Sequence, residues 1–207
     1  MDRDRWLELG ARVGHADSGT RFEALVEAYS EPHRAYHTSQ HIDECLGVFD
    51  AWAEAAEHPD EVELAIWLHD VVYQPRKGDN EERSADLAAE WLRASDLSPE
   101  AIGRVRDLIL VTRHQEEPAT LDQALILDVD LHILGADEAR YAEYETQVRR
   151  EYQWVPKILF ERRRAQLLRG FLERAPLFRT EAARARFEHP ARRNLEGAIQ
   201  ALGGRAP

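Results

Sequence analysis

The chain has one cysteine in 207 residues. Cys45 cannot build a disulfide framework, and the close Cys pairs of a local zinc finger are missing too. No apolar run approaches the roughly 20 residues that cross a bilayer. The opening MDRDRWLELG is too polar for a signal peptide. With the lone thiol, these absences lead us to expect a cytoplasmic protein with no membrane partner. Positive charge is also short: 27 Lys and Arg stand against 39 Asp and Glu, a net charge of −12. Such a surface repels the phosphates of duplex nucleic acid. It still permits a nucleotide whose phosphate is held locally by a metal ion and a few Arg residues. The basic run ERRRAQLLR (161–169) reads either as such a patch or as a solvated helix face. Strand patterning is missing as well, because Val, Ile and Thr nowhere alternate with polar residues over a strand's length. Nor is there a repeat, a low-complexity tract or a Gly/Ser linker.

What is present is helix punctuation. A first helix is expected over Arg5–Val13 and a second from Ser18 or Thr20, with Phe22, Leu25, Val26 and Tyr29 on one face. A third starts near Ser39, where Ile42, Cys45, Leu46, Phe49 and Trp52 step by three and four. A fourth spans about Pro59–Tyr73 and is stopped by Pro75 and Gly78. Asp79 with Glu82, and Thr120 with Gln123, have capping-box spacing. Ser98-Pro99 opens a sixth helix. The seventh runs to Leu134 and stops at Gly135. An eighth extends from Asp137 to Trp154, a ninth opens at Pro156, Thr180 caps a short helix, and Pro190 begins the last. The reading is all-α.

Within this frame the segment AIWLHDVVYQP (65–75) stands out, because the pair His69-Asp70 closes an otherwise apolar helical run. A lone buried carboxylate is costly, and an imidazole beside it needs a partner too. A divalent metal satisfies both, since imidazole nitrogen and carboxylate oxygen are common ligands. Further ligands are on offer upstream, with His37 and His41 in AYHTSQH, and downstream, with Asp128 and Asp130 in LILDVDLHILG. Ligands drawn from distant segments suit a site inside a helical bundle. His37 and His41 are four apart and would share a helical face, but Thr38 or Ser39 reads as an N-cap, which leaves His37 in the preceding turn. Asp128 and Asp130 face nearly opposite sides of a helix, so only one of them is expected to bind.

The ordered motifs YHTSQH (36–41), AIWLHDVVY (65–73), DNEERSA (79–85), VTRH (111–114) and LDVDLHILG (127–135), continued by VRREY (148–152) and ARRNL (191–195), resemble the HD superfamily of metal-dependent phosphohydrolases, in its small bacterial branch. The resemblance covers most of the chain. It implies one HD-type all-α domain over residues 1–207, with a metal-binding core at about 20–135 and a C-terminal helical extension at about 136–207 packed on it. It implies His41, His69, Asp70 and Asp130 as metal ligands, with His37 and Asp128 as the alternatives at their positions. Asn80 stands where two-metal relatives carry a His, so one divalent ion is expected, whether Mn, Fe, Co, Ni, Zn or Mg.

The expected reaction is hydrolysis of a nucleotide or another small phosphorylated metabolite by metal-activated water. Asp70 or Glu81 is the candidate for positioning or deprotonating that water. His37 and His114 are candidates for meeting the phosphate or moving a proton. Arg34, Tyr36 and Asn80 are candidates for holding the substrate, since the planar fork of Arg matches phosphate. Arg149, Tyr152, Arg163 and Arg192 are not separable from surface ion pairs. The main rival is a non-catalytic metal- or nucleotide-binding regulatory protein on the same fold. A di-iron oxygenase is a third reading, and Asn80 counts against it. The C-terminal helices offer a surface for a homodimer.

Overall fold

Side-chain caps set several of the helix starts. In the computed structural model, which describes residues 1–203, α1 (Arg3–Arg12) begins where the Asp2 carboxylate accepts from Arg5 N, and α2 (Ser18–Tyr29) follows. Then come α3 (Ser39–Phe49), α4 (Pro59–Leu68) and α5 (Asn80–Leu92). Ser98 caps α6 (Pro99–Val111) by accepting from Ala101 N. Before α7 (Leu121–Asp130), Thr120 Oγ1 accepts from Gln123 N while Gln123 Oε1 reaches back to Ala119 N. Asp137 caps α8 (Glu138–Glu151). After α9 (Lys157–Leu172), Thr180 caps the short turn α10 (Glu181–Ala183), and α11 is His189–Ala201. Each side-chain cap is worth about 1 kcal/mol. No strand occurs among the described residues, and none of their helices is long and apolar enough to cross a membrane.

Several boundaries differ from the sequence reading, among them α8, which ends at Glu151 and not Trp154, and α1, which runs from Arg3 to Arg12 and not Arg5 to Val13. Helix α4 stops at Leu68, five residues before Tyr73; Tyr29 takes the Trp67 carbonyl, and Arg34 takes those of Asp70 and Val71 in the turn beyond. Trp52 lies beyond α3, before a 3-10 turn at Ala53–Ala55. Asp79 occupies the N-cap position of α5 without making a side-chain cap bond. The seventh helix tightens to 3-10 geometry over Leu131–Gly135 instead of running on.

The chain divides into two compact units, the first Met1–Asp130 and the second from Leu131 on. At the centre of the first is α4, whose residues Glu61 to Leu68 are all buried. A helix buried on every side must be apolar or neutralised. Val62, Leu64, Ala65, Ile66, Trp67 and Leu68 meet the first condition. Glu61 and Glu63 meet the second. Arg104 of α6 grips Glu61 with two bonds of 2.7 and 2.6 Å, and Arg5 and Arg12 of α1 hold Glu63 at 2.6 and 2.9 Å. Around α4 pack α1, α3, α5, α6 and α7.

The second unit holds α8 to α11. Asn194 of α11 donates to the carbonyls of Leu134 and Ala136, both at 2.9 Å. Gly135 is required there, since a Cβ would lie 2.7 Å from the Phe187 side chain and 2.8 Å from its carbonyl oxygen. Arg192 is spent on the carbonyls of Leu172 and Arg174, and Arg149 on those of Tyr152 and Val155, so both serve the fold. Charge separates between the units. The acidic excess lies in the first, whereas from Leu131 on Lys and Arg outnumber Asp and Glu.

Candidate metal centre

The end of α4 is a turn full of carbonyls with no helical partner. Tyr29 Oη donates to Trp67 O at 2.9 Å. Arg34 donates through Nη1 to Asp70 O at 2.7 Å and His37 O at 3.1 Å, and through Nη2 to Val71 O at 3.0 Å. Ser84 Oγ of α5 bridges Val72, accepting from its N–H at 3.1 Å and donating to its carbonyl at 3.3 Å. His69 Nδ1 lies 2.9 Å from Ile66 O. A carbonyl can only accept, so that nitrogen carries the proton and His69 Nε2 is left to face the site.

Four side chains converge at that point. His41 comes from the first turn of α3, His69 and Asp70 from the turn after α4, and Asp130 from the last position of α7. His41 Nε2 is 3.2 Å from His69 Nε2, 3.2 Å from Asp130 Oδ1 and 3.7 Å from Asp70 Oδ2. His69 Nε2 is 3.2 Å from Asp70 Oδ2 and 3.6 Å from Asp130 Oδ1. A divalent ion with bonds of about 2.1 Å holds neighbouring ligands about 3.0 Å apart in an octahedron and about 3.4 Å apart in a tetrahedron. Separations of 3.2 to 3.6 Å among His41, His69 and Asp130 lie close to the tetrahedral edge, and these three form a group that can hold a metal ion, with Asp70 beside it. The imidazoles are buried, while the Asp70 and Asp130 side chains keep 14% and 19% of their exposure, so the site opens to solvent on its carboxylate side.

Electrostatics point the same way. Burial alone would lower the His69 pKa, but the Asp70 and Asp130 carboxylates override it and raise the pKa well above its ordinary value. Burial would raise Asp70, yet His69, His37 and His41 hold it below the usual carboxylate range. Asp130 is likewise depressed against its burial, by hydrogen bonds from His114, His41 and His69. Two ionised carboxylates and the bare nitrogen of His69 therefore demand a cation, which is either a proton on His69 or a metal.

The other expected residues fall into distinct places. His37 stacks on Tyr73, ring centroids 4.0 Å apart, and stands close enough to Asp70 to help keep it ionised. Tyr36 is buried edge-on to His37 and tilted against His41 at 4.7 Å. Arg34 differs from expectation. It is buried, committed to the carbonyls above and to Glu31, and lies over the rings of Tyr29 and Tyr73, so it fixes the His-Asp turn instead of presenting its fork to a substrate. Asn80 also differs, since its side chain bonds to both the N–H and the carbonyl of Gln74 and clasps the loop before α5. His114, expected at a phosphate, has its Nε2 2.8 Å from Asp130 Oδ2. It sits at φ +56°, a strained conformation for a non-glycine residue. Glu81 lies in the first turn of α5, outside the convergent group, and its neighbour Glu82 pairs with Arg113. Asp128 is buried and is not one of the three residues of that group.

Sequence reasoning missed Tyr29, Tyr73, Ser84 and Cys45. The Cys45 thiol sits one turn beyond His41, 3.6 Å from its Nδ1 and 3.7 Å from Val129 O, and burial pushes its pKa up. Its i+4 spacing from His41 is the one signal that sequence held for any of them. In comparisons with known proteins, no family model, curated protein or solved structure matches the chain.

Proposed function

We propose that the chain is a metal-dependent phosphohydrolase of the HD type, acting on a nucleotide or another small phosphorylated metabolite. The observation that carries this reading is the meeting of His41, His69 and Asp130 within coordinating range of one another, with Asp70 beside them, its Oδ2 3.2 Å from His69 Nε2. A cation held there by these residues would supply Lewis-acid charge for a phosphoryl oxygen and would lower the pKa of a bound water to about 7. The mixed nitrogen and oxygen donors accept Mn, Fe, Co, Ni, Zn or Mg.

The chain's own residues then divide the work. The bond from His69 Nδ1 to Ile66 O keeps Nε2 facing inward. His114 fixes the outer oxygen of Asp130, leaving the inner one for the site. Asp70, ionised and partly exposed, accepts the proton of the attacking water, with Glu81 as the second candidate. His37, braced on Tyr73 beside Asp70, meets the phosphoryl oxygens or the leaving group. One observation favours the rival regulatory reading: the Arg34 fork, the first choice for gripping phosphate, is already spent on the fold.

The test is a screen of nucleotides and phosphorylated metabolites with each divalent metal in turn, with His69→Ala as the blank. Phosphate release that needs added metal and falls to background in the variant is the expected result. Metal binding without release from any substrate favours the regulatory reading, and activity that survives in His69→Ala removes the site.

A further inference from the structure

Six large apolar side chains stand exposed among the described residues, and four of them lie between 154 and 167: Trp154 at 48%, Ile158 at 83%, Leu159 at 42% and Leu167 at 51%. That concentration sets this stretch apart from scattered surface apolars, which need no explanation. Leu159, Arg163 and Leu167 follow one another at i, i+4 and i+8 along the outer face of α9. Lys157 and Arg162 flank them, also exposed. The result is an exposed apolar ridge whose rim is positive at Arg162 and Arg163, with Lys157 paired to Glu161 at 3.7 Å.

The same unit carries a shape of the opposite kind. A groove of about 860 Å³ runs between α8 and α11. Ala142, Gly197 and Ala198 line it with little side-chain bulk, while Asp137 and Glu138 give it an acidic border against the single Arg193. Both acids are exposed.

We propose that a second copy of this chain occupies that groove, with the α9 ridge of each copy seated between α8 and α11 of the other. Large apolar side chains meet small ones, and Arg162 and Arg163 meet Asp137 and Glu138. Ridge and groove belong to the same unit, so one two-fold axis engages both at once and closes the assembly as a dimer. An anionic membrane is the other surface with matching charge. It fits less well, because Arg163 interrupts the apolar line between Leu159 and Leu167, where a lipid-facing helix needs a continuous apolar sector. A bilayer also gives the acidic groove no role.

Sedimentation velocity on the full chain over a wide concentration range tests this, with two independent variants. Leu159→Asp combined with Leu167→Asp removes the ridge. Gly197→Leu fills the groove, and a Cβ there meets nothing within 4 Å, so the fold tolerates it. Gly103→Leu on α6, equally open, is the control. The expected result is a dimer that weakens at least about tenfold in each test variant and is unchanged in the control. A chain that stays monomeric throughout overturns the proposal, as does a dimer indifferent to Gly197→Leu. Binding to vesicles of anionic lipid that depends on Leu159 and Leu167, in a chain that does not self-associate, overturns it in favour of the membrane.

Discussion

Helices α4 and α7 lie side by side in the first unit and run in the same direction, with a His and an Asp meeting at each end. At the starts, Asp122 of α7 faces His58, the N-cap of α4. At the finishes, Asp130 of α7 faces His69, the C-cap of α4. Both clusters bring potential ligand atoms within coordinating range. Their local chemistry is opposite. At the starts, Asp122 accepts from Glu57 N at 2.7 Å, from His58 N at 3.0 Å and from His58 Nδ1 at 3.1 Å, so its charge is absorbed by N–H groups that a helix N-terminus leaves over. At the finishes only carbonyls are left over. These are occupied by Tyr29, Arg34 and His69 Nδ1, and among the described residues Asp70 and Asp130 are met only by imidazoles, those of His37, His41, His69 and His114, with no backbone N–H among their partners. Proximity of ligand types therefore does not define a metal site. What distinguishes one is carboxylates answered by imidazoles, which can give up their protons to an ion, and not by backbone N–H groups, which cannot.

The largest expected effect separates the two ends outright. Calorimetric titration with Zn or Mn should find one site per chain, abolished by His69→Ala and unchanged within about twofold by His58→Ala. Equal losses in both variants would mean that the starts also bind metal and that the contrast is wrong.

Proton competition comes next. In the metal-free chain, the raised pKa of His69 contributes stability that is complete below the ordinary value of 6.5 and is lost as pH rises through the raised value. The depressed pKa values of Asp70 and Asp130 contribute stability that is present above 3.8 and lost as pH falls through their folded values. Metal must displace the His69 proton. Affinity should therefore climb with pH up to the raised value and level off above it, with proton release detectable by titration in buffers of different ionisation enthalpy. A flat profile would show that His69 is not a ligand. A smaller loss, about tenfold in affinity, is expected for His114→Gln, which frees the outer oxygen of Asp130.

How much of this was legible in the sequence follows from the same contrast. Caps and helical periods depend on neighbours in the chain, and Ser98, Thr120, Asp137 and Thr180 cap where they were expected to. The metal candidates were also readable, because ionisable groups inside apolar runs such as AIWLHD and LILDVD are conspicuous without coordinates. The failures concern groups whose partners are distant in sequence. Helix α4 was read five residues too long, since nothing near Leu68 shows that Tyr29 will take the Trp67 carbonyl and Arg34 those of the following turn. Arg34 was assigned to phosphate because an Arg beside a His motif looks functional, and only the fold shows that its donors are used. Asp122 escaped notice because its partners lie more than 60 residues upstream.

The smallest effect tests the starts of the two helices on their own terms. Asp122→Ala removes three hydrogen bonds and leaves two backbone N–H groups of the α4 N-terminus unsatisfied. Loss of such a cap costs about 1–2 kcal/mol, or roughly 2–8 °C in Tm for a chain of this size. Because the carboxylate here is answered by the helix and not by an ion, the loss should be the same with excess divalent metal and with chelator. At the other end, added metal should stabilise the parent chain by about 2.7 kcal/mol at a hundredfold excess over Kd, read as a higher Tm, and do nothing for His69→Ala. If chelator narrowed the gap between Asp122→Ala and the parent, Asp122 would be stabilising a bound ion, and the two ends of α4 and α7 would be alike after all.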